Sequence, residues 1–414
     1  MPDQADLLLA GGDVVDPGGG HLGKLDVAIR GGRIAAVGPT LPHTAAEVVD
    51  CAGKLITPGL VDLHTHVYPG AGYWGIDPDP IAWCTGVTTW VDAGSAGAFS
   101  VAGLKTYVKT RRVRVHALLN IAGQGLAART GEGLDLSNCD PELAAAAIRD
   151  DRELILGVKV RIDRDTVGPN GVEPLRRGVA VAEECGVPVM VHIGTTPPPL
   201  ADVLALLRPG DILTHCASGI AAPTGPEARA AYERGVLFDI GHGSGAFAFD
   251  VAEIQLAAGM TPHSISTDLH ARSVYGPVFD LPTTMAKLVA AGMPLDDVVA
   301  AATVRPARAL GLTVGTLTPG APADVAVFTV SSGDHELVDA HRQTRTAPFR
   351  LVNDATYVGG RLLEPQMPAP PPRWVPLTTG QRAAIAEREN AIRASLTTPL
   401  VGVDDLAEQF PRTS

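Results

Sequence analysis

No apolar run in this chain is long enough to span a bilayer, and no basic stretch precedes the short apolar run at residues 7–10. The expectation is a soluble protein without a membrane anchor or a secretory leader, working in the cytoplasm. Positive charge is scarce as well: 33 Lys and Arg stand against 45 Asp and Glu, giving a net charge of −12. An acidic surface repels phosphate backbones and anionic headgroups, so neither nucleic acid nor membrane is expected as a partner. Cysteine is sparse, with five residues (Cys51, Cys84, Cys139, Cys185 and Cys216) that are widely spaced and contain no C-x-x-C pair. An odd, scattered set does not build a disulfide framework and suits a reducing compartment. Internal repeats are also absent, apart from an alternation of strand and helix.

What is present is apolar bulk. The 414 residues are 45% hydrophobic with a mean hydropathy of +0.15, enough to bury a large core. Residues 1–57 read as short strands with turns, including a tight hairpin at Gly31-Gly32. From Leu60 the pattern becomes apolar strands alternating with helical stretches. Eight strands are expected, at 60–66, 87–92, 113–121, 155–161, 188–192, 212–215, 236–240 and 264–268. Helices are expected at 141–150, 173–184, 200–207, 226–233 and 250–258, followed by a pair at 283–291 and 295–310. Eight such units predict an α/β chain folded as a (β/α)8 TIM-like barrel over 58–311, with its active site at the C-terminal strand ends. A doubly wound open sheet is the alternative, but only a closed barrel gathers the ends of the first, fourth, fifth, sixth and eighth strands. Residues 312–365 return to β character and are expected to join 1–57 in a discontinuous β-sandwich domain. Residues 366–414 form a proline-rich arm and a C-terminal helix, expected at 380–395.

The stretch Pro58-Gly59-Leu60-Val61-Asp62-Leu63-His64-Thr65-His66 organises the chain. Side chains alternate along a strand, so His64 and His66 share a face and can chelate one metal ion. Lys159 sits alone in the apolar strand Gly157-Val158-Lys159-Val160. A lysine buried there loses its charge or is modified; a carbamate formed with carbon dioxide carries two oxygens that can bridge two metals. His192 and His215 each end an apolar strand, and Asp268 brings a carboxylate to the end of the eighth. Together they predict a two-metal site. His64, His66 and Asp268 hold one ion, His192 and His215 the other, and N6-carboxylated Lys159 bridges them with a shared hydroxide. Asp268 is the expected proton carrier. The ions are expected to be Zn2+, although the same donors accept manganese, cobalt or iron. The chemistry is hydrolysis of an amide, ester or cyclic amide.

This set resembles the amidohydrolase superfamily. Finer motifs, Gly157-Val158-Lys159-Val160-Arg161, Met190-Val191-His192-Ile193-Gly194, Leu213-Thr214-His215-Cys216, Phe238-Asp239-Ile240-Gly241-His242-Gly243 and Ser266-Thr267-Asp268-Leu269-His270, are similar to its dihydroorotase-like amidohydrolase/deacetylase branch. That resemblance implies deacylation of a small carboxylate-bearing substrate, an N-acyl amino acid or an O-acyl-2-hydroxy acid. The arm from Gln366 onward is not covered by it. Dihydroorotase-like or hydantoinase-like ring opening is the alternative, and a metal-free scaffold is a third reading that the complete ligand set opposes. For the substrate carboxylate, Arg272 on the loop after the eighth strand is the first candidate and Arg161 the second. His242 and His270 are candidates for polar contacts, and Tyr73 and Trp74 for an aromatic wall. A homo-oligomer is expected, with the C-terminal arm as a candidate for the pairing.

Overall fold

Strands that are apolar on both faces need cover on both faces, and a barrel ringed by helices supplies it. In the computed structural model, which describes residues 5–42, 45–72 and 74–397, seven such strands run parallel in chain order. They are Leu60–Thr65, Val87–Gly97, Arg114–Asn120, Ile155–Ile162, Val189–Ile193, Ile212–Thr214 and Leu237–Asp239. Residues 264–269 take the eighth place through single bridges rather than a regular ladder. Ser264 pairs with Asp239 on one side and Leu269 with Thr65 on the other. Backbone bonds complete the ring: Ile240, His242 and Gly243 donate to the carbonyls of Ser264, Ser266 and Thr267, and Asp268 donates to that of His64. The Asp62 carboxyl fastens the same seam, accepting from Thr267 N at 3.0 Å and from its Oγ1 at 2.6 Å. An open, doubly wound sheet is thereby excluded.

The expected helices lie outside the ring, except that the one expected at 295–310 is broken at Ala302-Thr303 into Leu295–Ala301 and Val304–Ala309. Pro141–Asp150 starts where the Asp140 side chain accepts from Glu142 N and Leu143 N, and Glu173–Cys185 buries Val181, Ala182 and Cys185. One apolar cluster joins this helical layer to the strands, while a smaller one gathers Leu63, Val91, Leu118, Met190, Ile212 and Leu310. The first five of these come from five different strands, so the cluster fills the barrel beneath the strand ends. Each fully buried Leu, Ile or Met contributes about 1.5–3 kcal/mol by leaving water.

Both flanks of the chain meet in a second sheet of eight strands. Leu55–Pro58 runs antiparallel to Val325–Phe328, so the segment leading into the barrel is bonded to the segment leaving it. Leu9, Val14, Val27, Ile29 and Ile56 pack there against Leu317, Val325, Val327 and Tyr357. Within the β segment expected at 312–365, two strands are long: Val325–Val338 and Thr344–Val358 form a ribbon that leaves the sheet and lies along the barrel. Asp339 near its tip accepts from Phe249 N at 2.9 Å, and Arg345 pairs with Glu253 at 2.5 Å. The C-terminal helix is Thr379–Thr397. Among the described residues no helix is long and apolar enough to cross a membrane.

Candidate metal centre

The strand ends bring the expected ligands together. His64 Nε2 lies 3.4 Å and His66 Nε2 3.1 Å from Asp268 Oδ1, and these three side chains form a compact potential metal-binding group. Lys159 Nζ is 3.0 Å from His64 Nε2 and 3.2 Å from Met190 Sδ. His192 Nδ1 and His215 Nε2 stand 2.7 Å apart. A cavity of about 60 Å³ is lined by His64, His66, Trp74, Leu126, Lys159, Arg161, His192, Asp268 and His270.

Each of the four imidazoles has one nitrogen engaged outward and the other turned inward. His64 Nδ1 meets Thr214 Oγ1 at 2.8 Å, and that hydroxyl donates to Asp239 at 2.7 Å. Its proton is committed, so the hydroxyl accepts from His64 Nδ1–H and leaves Nε2 as the lone pair. His66 Nδ1 meets Ser95 Oγ at 2.9 Å, and Asp92 holds that turn through Ser95 N and Val67 N. His215 Nδ1 donates to Gly241 O at 2.5 Å, while His192 Nε2 faces Asp163 Oδ2 at 3.3 Å. A carbonyl and an ionised carboxylate only accept, so the inward nitrogens of His192 and His215 both present lone pairs. Two lone pairs 2.7 Å apart repel unless a positive charge joins them. The donor set therefore fits a divalent cation.

The electrostatics agree. Burial drives the pKa of His64 well below its ordinary value, lowers that of His192 and brings that of His215 to about 3, so all three are neutral, the ligand form. Burial also lowers Lys159 to about 7, leaving much of its amine uncharged at neutral pH. For Asp268 burial pulls upward, but the side-chain contact with His66 helps to hold it well below the carboxylate range. The backbone is bent to deliver two of these groups: His215 has φ 62° and Asp268 φ 52°. Non-glycine residues in that region cost about 1–3 kcal/mol each, a cost retained where a side chain must be aimed. Gly94, at φ +87°, leaves room for the lysine: a Cβ there would stand 2.7 Å from Lys159 Cγ.

The substrate-contact candidates divide. Arg161, His270 and Trp74 line the cavity. Arg161 also pairs with the buried Glu132 at 3.2 Å, and His270 accepts through Nδ1 from Arg272 N at 3.1 Å. The Arg272 side chain is exposed and outside the cavity wall. His242 is fully buried and turned away from the cavity, its Nε2 2.9 Å from Lys287 Nζ. Tyr73 lies outside the described residues. Sequence reasoning passed over Thr214, Asp239, Asp163, Ser95 and Glu132. Asp239 carried a signal, a lone carboxylate inside an apolar strand, as Lys159 did.

The amidohydrolase family pattern matches residues 55–363, the barrel and the returning strands. The chain belongs to the amidohydrolase family. A deacetylase of Agrobacterium fabrum is 39% identical over 354 residues, covering 82% of this chain and 87% of that protein. A crystal structure described as an adenine deaminase superposes with a TM-score of 0.81 at 35% identity, over 87% of this chain and 99% of the other. One described as a dihydroorotase gives 0.80 at 36%, over 86% and 98%. This amidohydrolase is thus a hydrolase of small molecules acting on carbon–nitrogen bonds, with a candidate metal site at His64, His66 and Asp268.

Proposed function

We propose that the chain is a binuclear metal-dependent deacylase, removing an acyl group, acetyl foremost, from an amide or ester of a small carboxylate-bearing substrate. The observation that carries this reading is the inward turn of one ring nitrogen from each of four imidazoles around Lys159 and Asp268. His64, His66 and Asp268 would hold one ion and His192 and His215 a second, with Lys159 as its carbamate shared between them. Bound there, divalent zinc or a similar ion supplies Lewis acidity, acidifying water and polarising the scissile carbonyl. The chain does the rest. Uncharged Lys159 can take up carbon dioxide because Nζ keeps a lone pair at neutral pH. Asp268, held by both histidines of the first strand, is placed to receive a proton from the attacking water and pass it to the departing nitrogen or oxygen. Arg161 offers its guanidinium from the cavity wall to the substrate carboxylate, with Glu132 fixing its direction.

A panel of N-acetyl-L- and N-acetyl-D-amino acids, O-acetyl-2-hydroxy acids, dihydroorotate and hydantoins tests the reading on zinc-loaded protein. Turnover of open-chain acetyl compounds supports it. Turnover confined to the ring compounds overturns it in favour of cyclic amide hydrolysis, the reading favoured by the likeness to the structure described as a dihydroorotase.

A further inference from the structure

The C-terminal arm reaches the rim of the site. Trp374, in the proline-rich segment before the last helix, stands edge-on to Trp74 with ring centroids 6.3 Å apart. Trp74 is in turn edge-on to His270 at 4.8 Å, and both rings line the cavity beside His66 and Asp268. The two loops beneath are tied together, since Ala271 N donates to Trp74 O at 2.8 Å. The arm is tied to the same loops and to the barrel. Gln381 Nε2 donates to the carbonyl of Tyr275, seven residues after Asp268, at 2.7 Å. Arg388 reaches Cys84 Sγ at 2.9 Å, and Ile392 is buried. The arm lies beyond residue 363, where the family match ends. The cavity wall thus has a charged part, Arg161 with Lys159, and an apolar part, Leu126 and Trp74, which Trp374 continues outward.

We propose that Trp374 is a specificity-determining residue, extending the Trp74 wall so that the site takes acylated carboxylates bearing an extended apolar group. This rests on the deacylase reading for its substrate class. The part of the substrate remote from the scissile bond lies against the two indoles while its carboxylate is held from the arginine side. A methylene fully buried against such a wall raises affinity about fourfold, so the preference grows with chain length.

The test compares full-length wild type, Trp374→Ala and Trp374→Phe, all zinc-loaded, by two readouts. The first is binding of straight-chain carboxylates from acetate to hexanoate, followed by tryptophan fluorescence and requiring no turnover. Affinity should climb with chain length in wild type, flatten in Trp374→Ala, and be largely restored in Trp374→Phe. The second is kcat/KM for N-acetylglycine against N-acetylnorleucine. Trp374→Ala should lose about tenfold on the long substrate, chiefly through KM, with N-acetylglycine unchanged. Equal losses on both substrates, or an unchanged affinity slope in Trp374→Ala, overturn the role of Trp374. If the deacylase reading alone is wrong, no acetyl compound turns over, yet the affinity slope still depends on Trp374.

Discussion

Lys159 and Lys287 are a natural pair for comparison. Each is 1% exposed, each is pushed by burial down to about 7, and each sets Nζ about one hydrogen bond from a histidine Nε2, at 3.0 Å for His64 and 2.9 Å for His242. Their other partners differ. Lys287 donates to the Pro277 carbonyl at 2.6 Å, joining the helix Leu281–Ala290 to the preceding turn and to the end of the seventh strand. Lys159 has Met190 Sδ at 3.2 Å, a weak acceptor, and a cavity in front of it. A lowered lysine pKa therefore does not by itself mark a reactive group. An amine that faces a cavity among metal-type side chains does, while one whose N–H is held by a carbonyl marks a structural tie.

Substitution at the two positions should separate these roles. Lys159→Ala is expected to lower activity by roughly a thousandfold or more, since the ions' contribution of several kcal/mol goes with them. Metal analysis of the purified variant should show the loss, and short carboxylic acids should restore part of the activity by standing in for the carbamate. Full activity in Lys159→Ala would refute the bridging role. Lys287→Met should keep its metal content and stay within a few-fold of wild-type turnover.

A smaller effect is expected one contact further out. Thr214→Val removes the hydroxyl that fixes the His64 tautomer and leaves Asp239 with Ser264 and Ser266 as partners. Such changes behind a ligand cost about 10- to 100-fold in metal affinity or activity. Competition with a chelator measures it, and a variant holding zinc as tightly as wild type would refute the tautomer argument. Thr303, equally buried, donates only to the carbonyl of Val299, so Thr303→Val should leave metal affinity unchanged.

Chain position explains what could be read in advance. The candidate ligands were legible because a barrel places chemistry at strand ends, and a His, Lys or Asp is conspicuous in an apolar strand. Thr214 was hidden as an ordinary β-branched strand residue beside His215. Glu132 and Trp374, which touch the lining residues Arg161 and Trp74, were hidden because they come from a loop and an arm whose paths no local periodicity encodes. The long ribbon escaped for a different reason: its ladder shifts register between Ser332 and His335, around Ser-Gly-Asp, so the two-residue alternation that announces a strand is broken. His242 follows a strand end as the candidate ligands do, yet its ring turns toward Lys287, a partner in a helix 45 residues onward.

The smallest expected effect, on stability rather than activity, sharpens the comparison most. An ordinary lysine titrates near 10.5, and Lys287 in the folded chain near 7. Below about pH 7 both states carry the proton and burial of the cation destabilises the fold in full. Between those values the unfolded chain holds a proton that the folded chain has released, so stability rises with pH, by at most about 1.4 kcal/mol per pH unit. Lys159 follows the same sign while it is a free amine and drops out once it carries carbon dioxide. Urea unfolding of metal-loaded wild type should therefore gain on metal-loaded Lys287→Met from about pH 7 to about pH 9. In metal-stripped protein, Lys287→Met should keep a rising component of its own, supplied by Lys159. Parallel stability curves for wild type and Lys287→Met would mean that Lys287 stays charged in the fold, and the likeness of the two lysines would end at their burial.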